Sequence, residues 1–345
     1  KYRIINIFYA TSRKTHEPIN SPSSFKSHIA EQTSYGSADI KIDPTLTIAT
    51  MLPKWYKRNE IIGIKNIHPL NVDEFMKELA IAVENSPHKS ILVQVSGYQD
   101  NFEYTAIKTA YFSYLLDVNT PTLLFDWPGD QPTRIRGYLR AESLATKSGQ
   151  YLANVLIKII REIKPAKLWI SASSLGCQVV CSAFAEMYKQ TGAIEEDAKI
   201  DEVILAAPDV RKGEFDEKFK DQINAFSKSL TVYLSSNDRA LLLSSIIDIH
   251  RKLGRQHIQT LQTHDQYEEA KELLYLKSLE PKRINLVDVT PINTATYLHG
   301  YYLEAPEFFD DFYLRIFERP PHVNRNLYLF TSEDGLDYWI LRSNK

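Results

Sequence analysis

The segment LWISASSLGCQVV, residues 168–180, carries the side chain with the clearest chemical potential, Ser174. Small residues flank it, Ala172 two positions before and Gly176 two after. Trp169-Ile170 reads as a buried strand, and Val179, Val180, Phe184 and Met187 recur at helical spacing over 178–188. A serine at a tight strand-to-helix turn holds its hydroxyl above the sheet beside the next helix's N–H groups, an arrangement suited to attack on a carbonyl. The plain alternative is an N-cap serine on an ordinary helix.

An activated serine needs a base, and the base needs a group to orient it. The stretch 230–241, LTVYLSSNDRAL, predicts a strand with Asp238 just past its carboxyl end. A second strand, 284–289, ends at Thr290-Pro291, and the loop after it delivers His299 before Gly300. Catalytic groups in doubly wound sheets gather outside the carboxyl ends of strands, so the three can converge, in the chain order Ser, Asp, His of the α/β-hydrolases. The other downstream histidines fit less well: His250 falls in a predicted helix, His257 and His264 in a polar stretch. Asp209, in AAPDV, also ends a strand and is the rival acid, or else a cap for a loop on the rim. Upstream, the strand 89–98 breaks at Ser96-Gly97, where glycine lets the backbone turn its amides toward a reacting carbonyl. Backbone N–H groups of Tyr98 and Leu175 are the candidate oxyanion donors; a strand-ending turn without function is the alternative. Trp127-Pro128-Gly129, after the strand 121–126, puts another loop on the same rim.

These residues need elements to hold them. Strand and helix alternate over 89–318, the βα pattern of a mainly parallel central sheet flanked by helices. Residues 1–88 read as an N-terminal β extension packed on that core: strands near 4–9 and 39–48 flank a polar, Ser-rich loop, 12–37, and a helix follows over 72–84. A long helix, 141–163, turns Leu144, Tyr151, Leu152, Val155 and Ile159 to one side as a core stripe. At the other end, 319–345, Asp334-Gly335 between two aromatic-rich runs predicts a β-hairpin. Residues 239–281 follow the candidate acid directly and are either a cap over the site or, the favoured reading, an ordinary crossover helix.

Composition narrows the function classes. A formal charge of −2 with no basic patch argues against nucleic acid, and the run Arg134, Arg136, Arg140 reads as a solvated face. Cys177 and Cys181, the only cysteines, sit a turn apart on one predicted helix, poor geometry for a disulfide and too few ligands for structural zinc. No run approaches the ~20 apolar residues that span a bilayer, so a soluble chain is expected. It opens at Lys1-Tyr2-Arg3 without methionine and enters a strand almost at once, which predicts that an upstream piece has been removed. The compartment stays open between a bacterial cytoplasmic and an exported protein.

Eight segments in register resemble the uncharacterised α/β-hydrolase family known as domain of unknown function 900: IFYATSR (7–13), YGSADIKI (35–42), VQVSGYQDNFE (93–103), LLFDWPGD (123–130), SASSLG (171–176), VILAAPDV (203–210), YLSSNDRAL (233–241) and LHGYY (298–302). The resemblance covers most of the chain and implies an α/β-hydrolase fold of serine-hydrolase type. By position it matches Ser174 to the nucleophile, Asp238 to the acid, rather than Asp209, and His299 to the base. The sequence departs from the family's pattern in having Ser96 and Ser173 where histidines are usual. The expected chemistry is acyl transfer to water on a small-molecule acyl ester or lipid-like substrate, with no metal or organic cofactor. The alternative is a binding or assembly module on the same scaffold.

Overall fold

The computed structural model describes residues 2–46, 61–191, 200–210, 222, 225–235, 284–294, 300–331, 335 and 337–343. Among them one sheet of 11 strands runs through the protein. In chain order these are β1 (Arg3–Thr15), β2 (Phe25–Ile42), β3 (Ile62–Leu70), β4 (Ser90–Val95), β5 (Thr122–Asp126), β6 (Lys167–Ser173), β7 (Ile200–Ala206), β8 (Ser227–Leu234), β9 (Ile284–Asp288), β10 (Leu327–Thr331) and β11 (Asp337–Leu341). Their order across the sheet is β10-β11-β9-β8-β7-β6-β4-β5-β1-β2-β3. Every neighbouring pair from β11 across to β1 is parallel; β10 at one edge, and β2 and β3 at the other, pair antiparallel.

Burial explains the parallel centre. Every residue of β4 (SILVQV) and β7 (IDEVILA) is buried, the signature of strands covered on both faces. On one face lie α1 (Val72–Asn85), α3 (Ile135–Lys158) and α4 (Gly176–Thr191), which bury Phe75, Leu152 and Phe184 against Ile91, Val93 and Ile170. The other face carries α2 (Phe102–Leu116), the single turn α5 (Tyr301–Glu304) and α6 (Pro306–Ile316), with Phe112, Phe308 and Phe312 against Leu92, Trp169 and Ile204. α1 is started by a capping box, Asn71 accepting from the Glu74 amide while the Glu74 carboxylate accepts from the Asn71 amide. The chain leaves β4 for β5 over one face and returns to β6 over the other. The strand order therefore reverses between β4 and β6, the point of such sheets outside whose carboxyl ends ligands bind.

Two local expectations are corrected. The Ser-rich stretch 12–37 is mostly strand, because β1 runs to Thr15 and β2 begins at Phe25. Its polar side chains find partners elsewhere in the fold: Ser27 donates to Asp130, in the loop after β5, at 2.6 Å, and Ser12 pairs with Ser148 of the helix above at 3.0 Å. Tertiary hydrogen bonds thus override a composition that reads as loop. The long helix begins earlier than expected, at Ile135, and its last turn, Ile159–Ile163, is a π turn closed by Lys164 in the left-handed conformation.

Under α6 the sheet carries buried charge. Tyr233 donates to Asp311 at 2.5 Å, and Arg315 and Asn324 donate to the same carboxylate at 3.2 and 2.9 Å. Beside them on β7, Glu202 accepts from Thr231 at 2.7 Å, and burial pushes its carboxyl up to about 7 despite that bond. A carboxyl whose folded pKa is raised stabilises the fold below its unfolded pKa, and that contribution is lost as pH climbs through the folded value. At about 1.4 kcal/mol per unit, ionising Glu202 costs on the order of 3 kcal/mol across the window from its ordinary value to about 7. Glu202→Gln keeps a neutral hydrogen-bonding group. Urea unfolding of both proteins between pH 4.5 and 8 is expected to show the wild type losing stability relative to the variant as pH rises; parallel profiles would show that Glu202 does not titrate in this window.

Candidate active site

β6 ends in an abrupt turn. Ser173 closes the strand, Ser174 takes φ 51, and α4 begins at Gly176. A non-glycine residue in the left-handed region costs roughly 1–3 kcal/mol and persists only where its surroundings over-determine it. Here they do: the Ser174 N–H donates to the Ala206 carbonyl of β7 at 3.0 Å, while its own carbonyl accepts from Cys177 at 3.0 Å and Asp209 at 3.2 Å. The residue is 8 % exposed, and among the described residues its Oγ has no hydrogen-bond partner.

The loop after β4 meets this turn backbone to backbone. A Cβ on Gly97 would lie 2.8 Å from the Ser174 Cβ and 3.2 Å from the Ser173 carbonyl. One on Gly176 would lie 2.5 Å from the Ser96 carbonyl and 2.6 Å from that of Val95. Only glycine fits at either position, so neither loop can be rebuilt without the other. The same loop is tied to its neighbour: the Trp127 indole donates to the Ser96 carbonyl at 2.7 Å and the Gln99 amide to the Gly129 carbonyl at 2.9 Å. Two N–H groups next to Ser174, those of Tyr98 and Leu175, have no hydrogen-bond partner among the described residues. The contact is thus between Ser174 and the Gly97 backbone, with Tyr98 and Leu175 next along the two chains. Asp238 and His299 lie outside the described residues, as does the stretch 239–281.

A second set of residues holds the loops, and most of it escapes sequence reasoning. Arg13, fully buried at the end of β1, donates to Asp126 at 2.8 Å, to Asp130 at 2.5 Å and to the Asp100 carbonyl at 2.8 Å. Burial works against its charge, but the carboxylates of Asp126 and Asp130 outweigh it and raise its pKa. One guanidinium thus straps the loop after β4 to the loop after β5. Asp209 caps the rim: its amide binds the Ser174 carbonyl, and its carboxylate accepts from the Tyr138 hydroxyl at 2.8 Å. The Tyr138 ring stands edge-on to Tyr98, 5.6 Å between centroids, and the Tyr98 hydroxyl donates to the Pro132 carbonyl at 2.7 Å. The usable signal lay in the segments IFYATSR and LLFDWPGD, which put one arginine and two aspartates at the carboxyl ends of apolar strands.

Cys177 and Cys181 are free and buried, and burial holds the Cys177 thiol well above its ordinary pKa, which leaves it a core residue rather than a nucleophile. Among the described residues no His, Cys, Asp and Glu cluster to hold a metal, and no helix is long and apolar enough to cross a membrane. Residues 71–315 match the family described as "Alpha/beta hydrolase of unknown function (DUF900)". No curated protein matches the sequence.

The strained turn makes a stability prediction that needs no substrate. Ser174→Gly relieves the left-handed conformation and Ser174→Ala does not, so the glycine variant is expected to be more stable than the alanine variant by roughly 1 kcal/mol in urea unfolding. A glycine variant less stable than the alanine variant would show that the turn is not strained at this residue.

Proposed function

Since the chain belongs to this alpha/beta hydrolase family of unknown function, we propose that it is a serine hydrolase, cleaving a carboxylic ester or related acyl bond through an acyl-enzyme on Ser174. The observation that carries the reading is the conformation of Ser174: a left-handed serine between a parallel strand and a helix, at the point where the strand order reverses, with two unpaired amides beside it. Such a residue exposes a hydroxyl to the crevice and supplies donors where negative charge develops.

In the proposed reaction His299, held in the right tautomer by Asp238, takes the Ser174 proton as Oγ attacks the acyl carbon. The carbonyl oxygen becomes an oxyanion held by the Tyr98 and Leu175 amides. The imidazolium returns its proton to the leaving alcohol as the C–O bond breaks, leaving the acyl group on Ser174. Water then attacks that ester, His299 takes its proton, and the carboxylic acid leaves as Ser174 recovers its own. This sequence needs no metal or organic cofactor. Esters suit it better than amides because an alkoxide asks less of the general acid than an amine does. The substrate class is a small acyl ester or a lipid-like one.

Steady-state hydrolysis of p-nitrophenyl esters of graded chain length tests the roles. Ser174→Ala and His299→Ala are each expected to lower kcat by on the order of 10⁴ to 10⁶, with the double variant little worse, because the residues act as a unit. Asp238→Asn should cost less, since serine and imidazole stay paired. Equal, unsaturable hydrolysis by wild type and Ser174→Ala would abandon catalysis for the reading of the scaffold as a binding or assembly module.

A further inference from the structure

One short segment after β7 holds the candidate nucleophile and, from its other side, the helix that follows the candidate base. The Ser174 N–H donates to the Ala206 carbonyl at 3.0 Å, and the Ser174 carbonyl accepts from the Asp209 amide at 3.2 Å. Between those two residues Ala207 takes φ 45, a second non-glycine residue in the left-handed region. Its N–H donates to the Tyr233 carbonyl of β8 at 3.0 Å and to the Tyr301 hydroxyl at 2.7 Å. That hydroxyl in turn donates to the Tyr233 carbonyl at 3.0 Å. From the first residue of α5, fully buried Tyr301 thus closes a triangle of hydrogen bonds across the carboxyl ends of β7 and β8.

Residues 295–299 join Thr294 to Gly300, and the chain on either side of them is pinned to the end of β8. Before them, buried Asn293 donates from Nδ2 to the buried Ser235 hydroxyl at 2.7 Å, and the Val289 amide donates to the Leu234 carbonyl at 2.8 Å. After them stands Tyr301, two residues past His299; Ser235 stands three residues before Asp238. A buried tyrosine that only fills space needs one partner for its hydroxyl, whereas this one takes a donor and an acceptor from two strand ends beside a left-handed residue. We propose that Tyr301 is a positioning residue for the candidate base, with Asn293 as its counterpart at the other end of the connection. The two clamps fix the chain that carries His299 to the ends of β7 and β8, and the segment 206–209 keeps that frame in register with Ser174. The inference rests on the reading of Ser174 as nucleophile and His299 as base.

Tyr301→Phe keeps the ring and removes the hydroxyl. Ser235→Ala deletes the partner of Asn293 by a single oxygen and carries the same test if Tyr301→Phe folds poorly. Two measurements keep the clamp apart from the chemistry. Native-state amide hydrogen exchange, which reports local opening, is expected to quicken in peptides covering 289–304 and to stay unchanged in β1 and β2. With p-nitrophenyl acetate, kcat is expected to fall roughly ten- to hundredfold at unchanged KM, since a small misplacement of a catalytic group is costly and substrate binding is not touched. As a control, Thr231→Val removes another buried β8 hydroxyl, one that faces Glu202 instead; it should lower the urea midpoint and leave kcat unchanged. Unchanged exchange in both variants, or full kcat in both, overturns the inference. A wild type that hydrolyses no ester while its Tyr301→Phe variant exchanges faster overturns the hydrolase reading, and the positioning role with it, while the clamp stands.

Discussion

The site depends on one contact: the backbone of the Ser96-Gly97 loop lying against the backbone of the Ser173–Gly176 turn, with no side chain between them. Two adjacent parallel strands, β4 and β6, deliver these segments from opposite sides of the point where the strand order reverses. Glycine at 97 and 176 is the condition for the approach, and Ser174 in the left-handed region is its consequence. The approach sets the candidate nucleophile against the backbone of Gly97. The proposed chemistry needs pre-organisation that is built before any substrate arrives, which backbone supplies better than flexible side chains.

The contact would slide apart without the restraints around it. Arg13 binds the Asp126 and Asp130 carboxylates and the Asp100 carbonyl, and it is fully buried with Asp126, so removing Arg13 would leave the Asp126 carboxylate buried without its cation. From the opposite side, Asp209 and Tyr138 close a chain from the Ser174 carbonyl to the Tyr98 ring. The N-terminal strands thereby contribute to the site as well as to the sheet: β1 reaches past its pairing with β5 to bring Arg13 beneath the rim.

Much of this was legible from the chain, and what was not has physical causes. Apolar runs such as SILVQV and VILAAPDV announce central parallel strands because both faces are buried, and Ser174 stands out because small residues flank it at a change of period. The stretch 12–37 misled because serines in it are satisfied by the loop after β5 and by α3, contacts that no local pattern encodes. Arg13, Asp126 and Asp130 were likewise visible as residues but not as a network, since their meeting is set by the order of strands rather than by spacing along the chain. Glu202 is the same lesson in reverse: with Asp201 it is an acidic residue in a strand that the fold buries instead of expelling.

The central claim is that Ser174 is an activated nucleophile and not merely a serine at a turn. Incubating the folded protein with a fluorophosphonate probe, followed by intact-mass measurement and peptide mapping, tests this without knowledge of the substrate. The account requires one probe per chain, attached to Ser174, and no labelling of Ser174→Ala or of urea-unfolded protein. Folded wild-type protein that takes up no probe, or takes it up equally in the alanine variant, would contradict it.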